Sequence, residues 1–389
     1  MKARQLFSGR RITTVLAAVA LGAGFIVGSA TIASAGTVSK NLTYRCTFPL
    51  VGAQDVAAVV GITFPDSGTT GSRIVNGDLN ITATLGANIV SALRAFQTAT
   101  TSGSAVADVD ASHAGNNFTL GLPGLTIAKQ NVPSSGSMPV AISGPTPSMV
   151  VYTAGDVVLK AGASFTAKVD TRKADGTPTS LGVLNVPCTI KATTPPQDPT
   201  LTTIPVTGAD VTPPSTGTQV PGGTVNKTLN YTCVFPASGA QTVAGTITGT
   251  IPASGAHGTR LQPNLSIAAT IPTAVADVLR GANAATVAGK GQVDAFAAYN
   301  SSNITVGIPS VIPSTAVPAT GPITGTISPL VPSISVPNAG SIALAAGPEL
   351  HGTFTPLQAD GTPTSLGTFD VPCTLDAGQD PALGTITVT

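Results

Sequence analysis

The sequence predicts an all-β protein, mainly antiparallel and sandwich-like, made of two tandem repeats with one short helix in each. Three observations predict it. The stretch LTYRCTFP, Leu42 to Pro49, returns as LNYTCVFP, Leu229 to Pro236. In both copies Leu, Tyr, Cys and Phe alternate with polar or small residues, the period of a strand with one face in a core. Roughly 140 residues after each comes a second cysteine in a matched Val-Pro-Cys-Thr, at Cys188 and Cys373, so each repeat is closed near both ends. Finally, charged residues are 9% of the chain against 43 Gly and 32 Pro. That composition suits short strands joined by turns and disfavours helical bundles, which need Leu, Glu and Lys.

The first segment stands apart from the repeats. Lys2, Arg4, Arg10 and Arg11 precede an apolar run from Val15 to Gly28 and then Ala33-Ser34-Ala35. This is the layout of a secretory signal peptide over residues 1–35. A run of roughly 14 apolar residues is short for a membrane span of about 20. The expectation is a secreted, extracellular chain, free or associated with the cell envelope, with no integral membrane span once processed. Of 18 Lys and Arg, four lie in that segment; the remainder faces 17 Asp and Glu, a net of −3. With no basic stripe to neutralise phosphates, nucleic acid is not an expected partner.

From residue 36 onward the chain aligns with itself. GAQDVAAVVGITFP from Gly52 matches GAQTVAGTITGTIP from Gly239, and LNITATL from Leu79 matches LSIAATI from Leu265; all alternate as strands do. The helix follows: Ile89, Leu93 and Phe96 fall at i, i+4 and i+7, as do Val275, Leu279 and Ala282, with Pro272 just ahead of the second copy, where a helix start tolerates it. Strand patterns then resume as NNFTLGLP against SSNITVGIP, PVAISGP against PITGTIS, and AGDVVLKAG against AGSIALAAG. ADGTPTSLG occurs verbatim from Ala174 and from Ala359, turn chemistry that places the strand after it. Pro187 and Pro372 put that strand at an edge or a strand start, since proline donates nothing to a ladder. QDPTLTTIPVT and QDPALGTITVT close each repeat with one more strand, carrying Leu201, Ile204 and Val206 against Leu383, Ile386 and Val388. The domains are therefore 36–207 and 224–389, joined by a Pro/Gly/Thr-rich linker, 208–223, without period and expected to be extended and mobile.

Four cysteines allow three pairings, and repeat symmetry favours Cys46 with Cys188 and Cys233 with Cys373, each module closing itself. Closing a loop of that length constrains the unfolded chain by about 5 kcal/mol. Reduced structural thiols are the competing reading and fit an oxidising compartment poorly. No cysteine has a second at metal-ligand spacing and no histidine lies near one, so no metal and no cofactor is expected.

The LNYTC strand followed by Phe-Pro, the Ala-Gln-x-Val element, the Leu-Arg helix and the closing Val-Pro-Cys-Thr strand together resemble a secreted actinobacterial domain of unknown function, often duplicated. The resemblance covers almost all of the chain beyond the leader and implies an extracellular β-sandwich module. It implies no activity or catalytic residue. Immunoglobulin-type domains also join two strands by a disulfide, but here the cysteines lie much further apart and no Trp is present to pack on the bridge.

Chemistry common to both modules would need reactive residues at matched positions, and the histidines have none: His113 aligns with Tyr299, and His257 and His351 lack histidine counterparts. No enzyme is expected, and no catalytic residue is assigned. The charges that do recur are Arg73 with Arg260, Arg94 with Arg280, Asp108 with Asp294, Asp175 with Asp360 and Asp198 with Asp380. One reading makes Arg94 and Asp108, and likewise Arg280 and Asp294, a repeated site for a ligand carboxylate or sugar hydroxyl. The other makes each arginine a local tie at a helix end and each Asp before Gly or Pro an organiser of a turn. The expected function is that of a structural or adhesive component of the envelope or extracellular space, its partners cell-wall or surface components. The alternative is a pair of modules binding glycan or lipid, with avidity from two tethered copies. Against it, Tyr44, Tyr152, Tyr231 and Tyr299 are the only tyrosines, and Tyr44 and Tyr231 sit on the predicted buried faces.

Overall fold

The computed structural model describes residues 35–389 apart from residue 50, so the expected leader, all but Ala35, lies outside the described residues. The first repeat runs β1 (Ala35–Phe48), β2 (Gly52–Pro65), β3 (Gly68–Thr69), β4 (Arg73–Ile74), β5 (Leu79–Leu85), α1 (Ala87–Ala95), β6 (Thr100–His113), β7 (Asn116–Asn131), β8 (Met138–Gly144), β9 (Ser148–Val151), β10 (Gly155–Arg172), β11 (Pro178–Ile190) and β12 (Thr200–Thr207). The second runs β13 (Thr224–Phe235), β14 (Gly239–Thr250), β15 (Ser254–Gly255), β16 (Asn264–Ile271), α2 (Thr273–Gly281), β17 (Thr286–Tyr299), β18 (Ser302–Ala316), β19 (Ile323–Pro329), β20 (Ser333–Ser335), β21 (Gly340–Leu357), β22 (Phe369–Leu375) and β23 (Ala382–Val388).

In the first repeat the antiparallel order β1-β2-β5-β8-β7-β6-β10-β11 returns to β1, and β13-β14-β16-β19-β18-β17-β21-β22 returns to β13 in the second. Each repeat is thus a closed, barrel-like sheet of eight strands, where alternation alone had suggested a sandwich. Closure falls at the cysteines: Cys46 lies opposite Cys188 between β1 and β11, Cys233 opposite Cys373 between β13 and β22, and both pairs are disulfide-bonded. The ladder from β1 to β11 covers only residues 188–190, so Pro187, which lacks a donor, sits just beyond it.

The longest strands explain how the barrel stops. The first half of β10, Gly155 to Lys160, pairs with β12, and its second half, Ser164 to Arg172, pairs with β11, while β6 flanks both. The register breaks between Ala161 and Phe165, a bulge where the strand changes partner from β12 to β11 and beyond which β12 extends the sheet past the barrel. β21 divides in the same way between β23 and β22. The final strands are integral to this extension: Leu201, Ile204, Val206, Ile386 and Val388 are buried.

Each helix lies on its barrel through Ile89, Val90 and Leu93 or Val275, Ala276 and Leu279. The third member of each expected stripe differs. Helix α1 ends at Ala95, so Phe96 falls in the cap and is 40% exposed, and Val90 takes the inward place. Ala282 is likewise the cap of α2, and Pro272 is its N-cap.

The extensions are where the repeats meet. β9 of the first repeat pairs with β18 of the second, Val150 opposite Thr305, and β20 of the second pairs with β7 of the first, Ser335 opposite Thr119. Each exchanged strand keeps one edge at home, β9 on β4 and Ile334 on Leu261. Phe118 and Val306 pack against both hydrophobic cores. The segment 208–223, expected to be a mobile tether, is hydrogen-bonded to both repeats: Val211 N donates to Tyr152 O at 3.0 Å, Thr70 to Ala209 O at 2.6 Å, and Gly222 N to Thr385 O at 2.8 Å. The composition of the segment signals absence of strand; it carries no information about docking.

Candidate functional site

Of the charges that recur in both repeats, Arg73, Arg260, Asp108 and Asp294 converge on the exchanged strands. Arg73, on β4, reaches across to Asp294 of β17 at 2.6 Å and to Glu349 at 2.8 Å. Arg260 reaches back to Asp108 on β6, one terminal nitrogen lying 2.7 and 2.8 Å from its two oxygens, a charge-assisted bifurcated contact. The other guanidinium nitrogen of each arginine donates to the first serine of an exchanged strand, Arg73 to Ser148 and Arg260 to Ser333, at 3.1 and 3.2 Å. Ser148 passes the bond on to Gln292 at 2.8 Å. Each exchanged strand is therefore pinned by the arginine beside it, and that arginine is neutralised by the opposite repeat.

Close packing holds this arrangement. A Cβ on Gly121 would lie 2.2 Å from an Arg260 nitrogen and 2.3 Å from the Ser333 hydroxyl, and one on Gly307 would lie 2.3 Å from the Ser148 hydroxyl. Behind the carboxylates, a Cβ on Gly162 or Gly347 would meet the Asp108 or Asp294 Cβ at 2.4 or 2.3 Å. Tyr44 and Tyr231 donate to the carbonyls of those same two glycines, each at 3.3 Å.

Burial raises the carboxyl of Asp294 above the ordinary carboxylate range, with Arg73 opposing and Glu349 adding to the rise. Asp108 is raised for the same reason, with Arg260 opposing. For Arg73 burial alone would act downward, and its bonds to Asp294 and Glu349 outweigh it. The Tyr44 hydroxyl is pushed up to about 12 by burial and by Asp108 and Asp110.

The carboxylates expected to face a ligand, Asp108 and Asp294, are thus each engaged by an arginine of the opposite repeat. Their expected companions have other partners. Arg94 donates to Pro133 O at 3.3 Å, and Arg280 to Pro318 O at 2.9 Å and to Asp277 of its own helix. Of the remaining recurring charges, Asp175 and Asp360 order their turns by accepting from Thr177 and Thr362, and Asp198 and Asp380 pair with Lys40 and Lys227. The exchanged segments, SMVV and SIS, have a repeat signal of their own: PSMVV and PSISV match, each opening on a proline. All four tyrosines are buried, two more than the strand pattern indicated.

Inside each barrel, beside the disulfide, lies a small apolar cavity, about 60 Å³ in the first and about 80 Å³ in the second. Phe48, Val56 and Val186 line one; Phe235, Val243 and Val371 line the other. Both are well below the ~300–1,000 Å³ of ligand pockets. Among the described residues no group of three His, Cys, Asp or Glu side chains could hold a metal ion, and no helix is long and apolar enough to cross a membrane.

Fold and geometry define a class: two disulfide-closed β-barrels in tandem, joined by reciprocal strand exchange about an approximate two-fold. The chain belongs to a family of unknown function (DUF6801), whose model matches it twice, over residues 43–202 and 230–384. No curated protein and no solved structure matches it.

Proposed function

We propose that the chain is a secreted, non-enzymatic structural or adhesive component of the cell envelope or extracellular space, acting as one rigid two-module unit. The observation that carries this reading is the reciprocal exchange. Separating the modules would break two backbone ladders and expose two buried carboxylates together. Such a joint fixes geometry between modules, which suits a load-bearing or surface-presenting part. The charges common to both modules have partners in the joint, at the helix ends and in turns, and the barrel interiors leave only small apolar cavities of about 60 and 80 Å³. The two disulfides suit an oxidising compartment.

The test is co-sedimentation of the purified, oxidised mature chain with isolated actinobacterial cell envelopes. Saturable retention, beyond that of an unrelated protein of similar charge, is expected. Retention no greater than that of the control would overturn the adhesive reading.

A further inference from the structure

The two-fold relation between the modules makes each place on one joint comparable with its twin on the other, and one pair of twins differs completely. Across the second module's extension, Ala345, Phe296, Thr305 and Val150 lie directly opposite one another on four adjacent strands. Tyr152 covers this row, its ring edge-on to Phe296 and its hydroxyl 2.7 Å from Thr305. The twin row in the first module is Lys160, Asp110, Thr119 and Ser335, and Pro337 stands where Tyr152 would be. The apolar row has become a row of ammonium, carboxylate and two hydroxyls, and its aromatic cover is gone. What remains is an open cleft of about 400 Å³ lined by these residues and Phe118.

We propose that this cleft binds a neutral carbohydrate, a pyranose or short oligosaccharide, at a single site per chain; the inference goes beyond the structural reading above. Its volume falls in the ~300–1,000 Å³ range of small-molecule sites. Lys160 and Asp110 are cross-strand neighbours and balance each other, which disfavours a charged ligand. Asp110 accepts one bond, from Thr119, and a carboxylate has further lone pairs for sugar hydroxyls. Lys160 is exposed and forms no ion pair among the described residues, leaving its three donors for hydroxyl oxygens. The exposed ring of Pro337 gives an apolar face for the C–H side of a ring.

The experiment is saturation-transfer NMR on the full mature chain with methyl glucoside, methyl galactoside, methyl mannoside, N-acetylglucosamine and trehalose, with glycine and sulfate as zwitterionic and anionic probes. At least one neutral sugar should show saturable transfer, and glycine and sulfate none. The triple variant Asp110→Phe, Lys160→Ala, Pro337→Tyr rebuilds the filled twin and should abolish transfer while keeping the melting midpoint. Should that variant not fold, Asp110→Asn alone should weaken binding about tenfold, the scale of one lost hydrogen bond to a charge. No transfer from any sugar, transfer unchanged in the filled or Asn variant, or preference for glycine or sulfate would each overturn the proposal. Envelope retention measured on the same variants separates this site from the structural reading, which requires no cleft.

Discussion

At one joint between the modules Tyr152 and Phe296 meet edge to face, ring centres 5.9 Å apart; at the other the same two positions hold Pro337 and Asp110. Around them the two joints follow one plan, an arginine, a serine and an aspartate about a three- or four-residue exchanged strand. The comparison separates what the exchange requires from what it tolerates. Backbone ladders and charge pairing are kept on both sides, so the exchange depends on them; the filling beside them has diverged, so one joint is free to open.

The sharpest way to break that comparison is to delete the divergent residue from each side. Tyr152→Ala removes a buried ring and should destabilise by roughly 4 kcal/mol, the scale of a buried aromatic truncated to Ala. Pro337→Ala, at an exposed position, should change stability by less than about 0.5 kcal/mol. Urea denaturation measures both, and similar midpoints would mean that the two joints are equivalent after all.

A control comes from positions that have not diverged. Ile204 and Ile386, at matched places on the final strands, are each 0% exposed. Truncating either to Ala should cost roughly 3.5 kcal/mol, and the same in both modules. A large difference would place the asymmetry in the whole module and not in the joint.

Next comes the charge pairing. Arg73→Ala leaves Asp294, whose side chain is 1% exposed, without its cation, and should cost roughly 3 kcal/mol. In the twin pair Arg260 is 43% and Asp108 8% exposed, so Arg260→Ala should cost less, about 2 kcal/mol. Equal losses in the same denaturation experiment would show that burial does not set the value of the pair.

Much of the architecture is legible in the sequence because it is local or repeated. Alternation marks the strands, the matched cysteines mark the pairing, and the recurring apolar spacing of Leu201, Ile204 and Val206 marks a final strand beyond the disulfide. Barrel against sandwich is not legible, because inward and outward residues alternate in both; the pairing of β11 with both β10 and β1 decides it. The exchange is hidden for a related reason. Two repeats of one pattern offer β9 two nearly identical edges, and alternation does not say which copy it joins. Arg73, Arg260, Asp108 and Asp294 are visible as recurring charges, but their pairing crosses repeats, so neither repeat read alone shows it.

The smallest effect expected is one of sign, and it distinguishes the joints from the flanking turns. Asp198 and Asp380 are held below the ordinary carboxylate range, chiefly by hydrogen bonds from Lys40 and Lys227. Their folded pKa lies under the unfolded value, so the stability they contribute is present above about pH 4 and lost as pH falls through their folded pKa. Asp108 and Asp294 are raised, chiefly by burial, so the folded chain holds their protons more tightly than the unfolded one. Their contribution is present below about pH 4 and declines as pH rises through their folded pKa. Melting midpoints of Asp198→Asn and Asp294→Asn against the unsubstituted chain, from pH 3 to 6, read this directly. The Asp198→Asn deficit should grow with pH, whereas Asp294→Asn should gain on the parent over the same interval, because it removes an ionisation that burial opposes. Parallel trends would mean that Arg73 and Arg260 hold the joint carboxylates as freely ionised as those at the surface, and the distinction between joint and turn would fail.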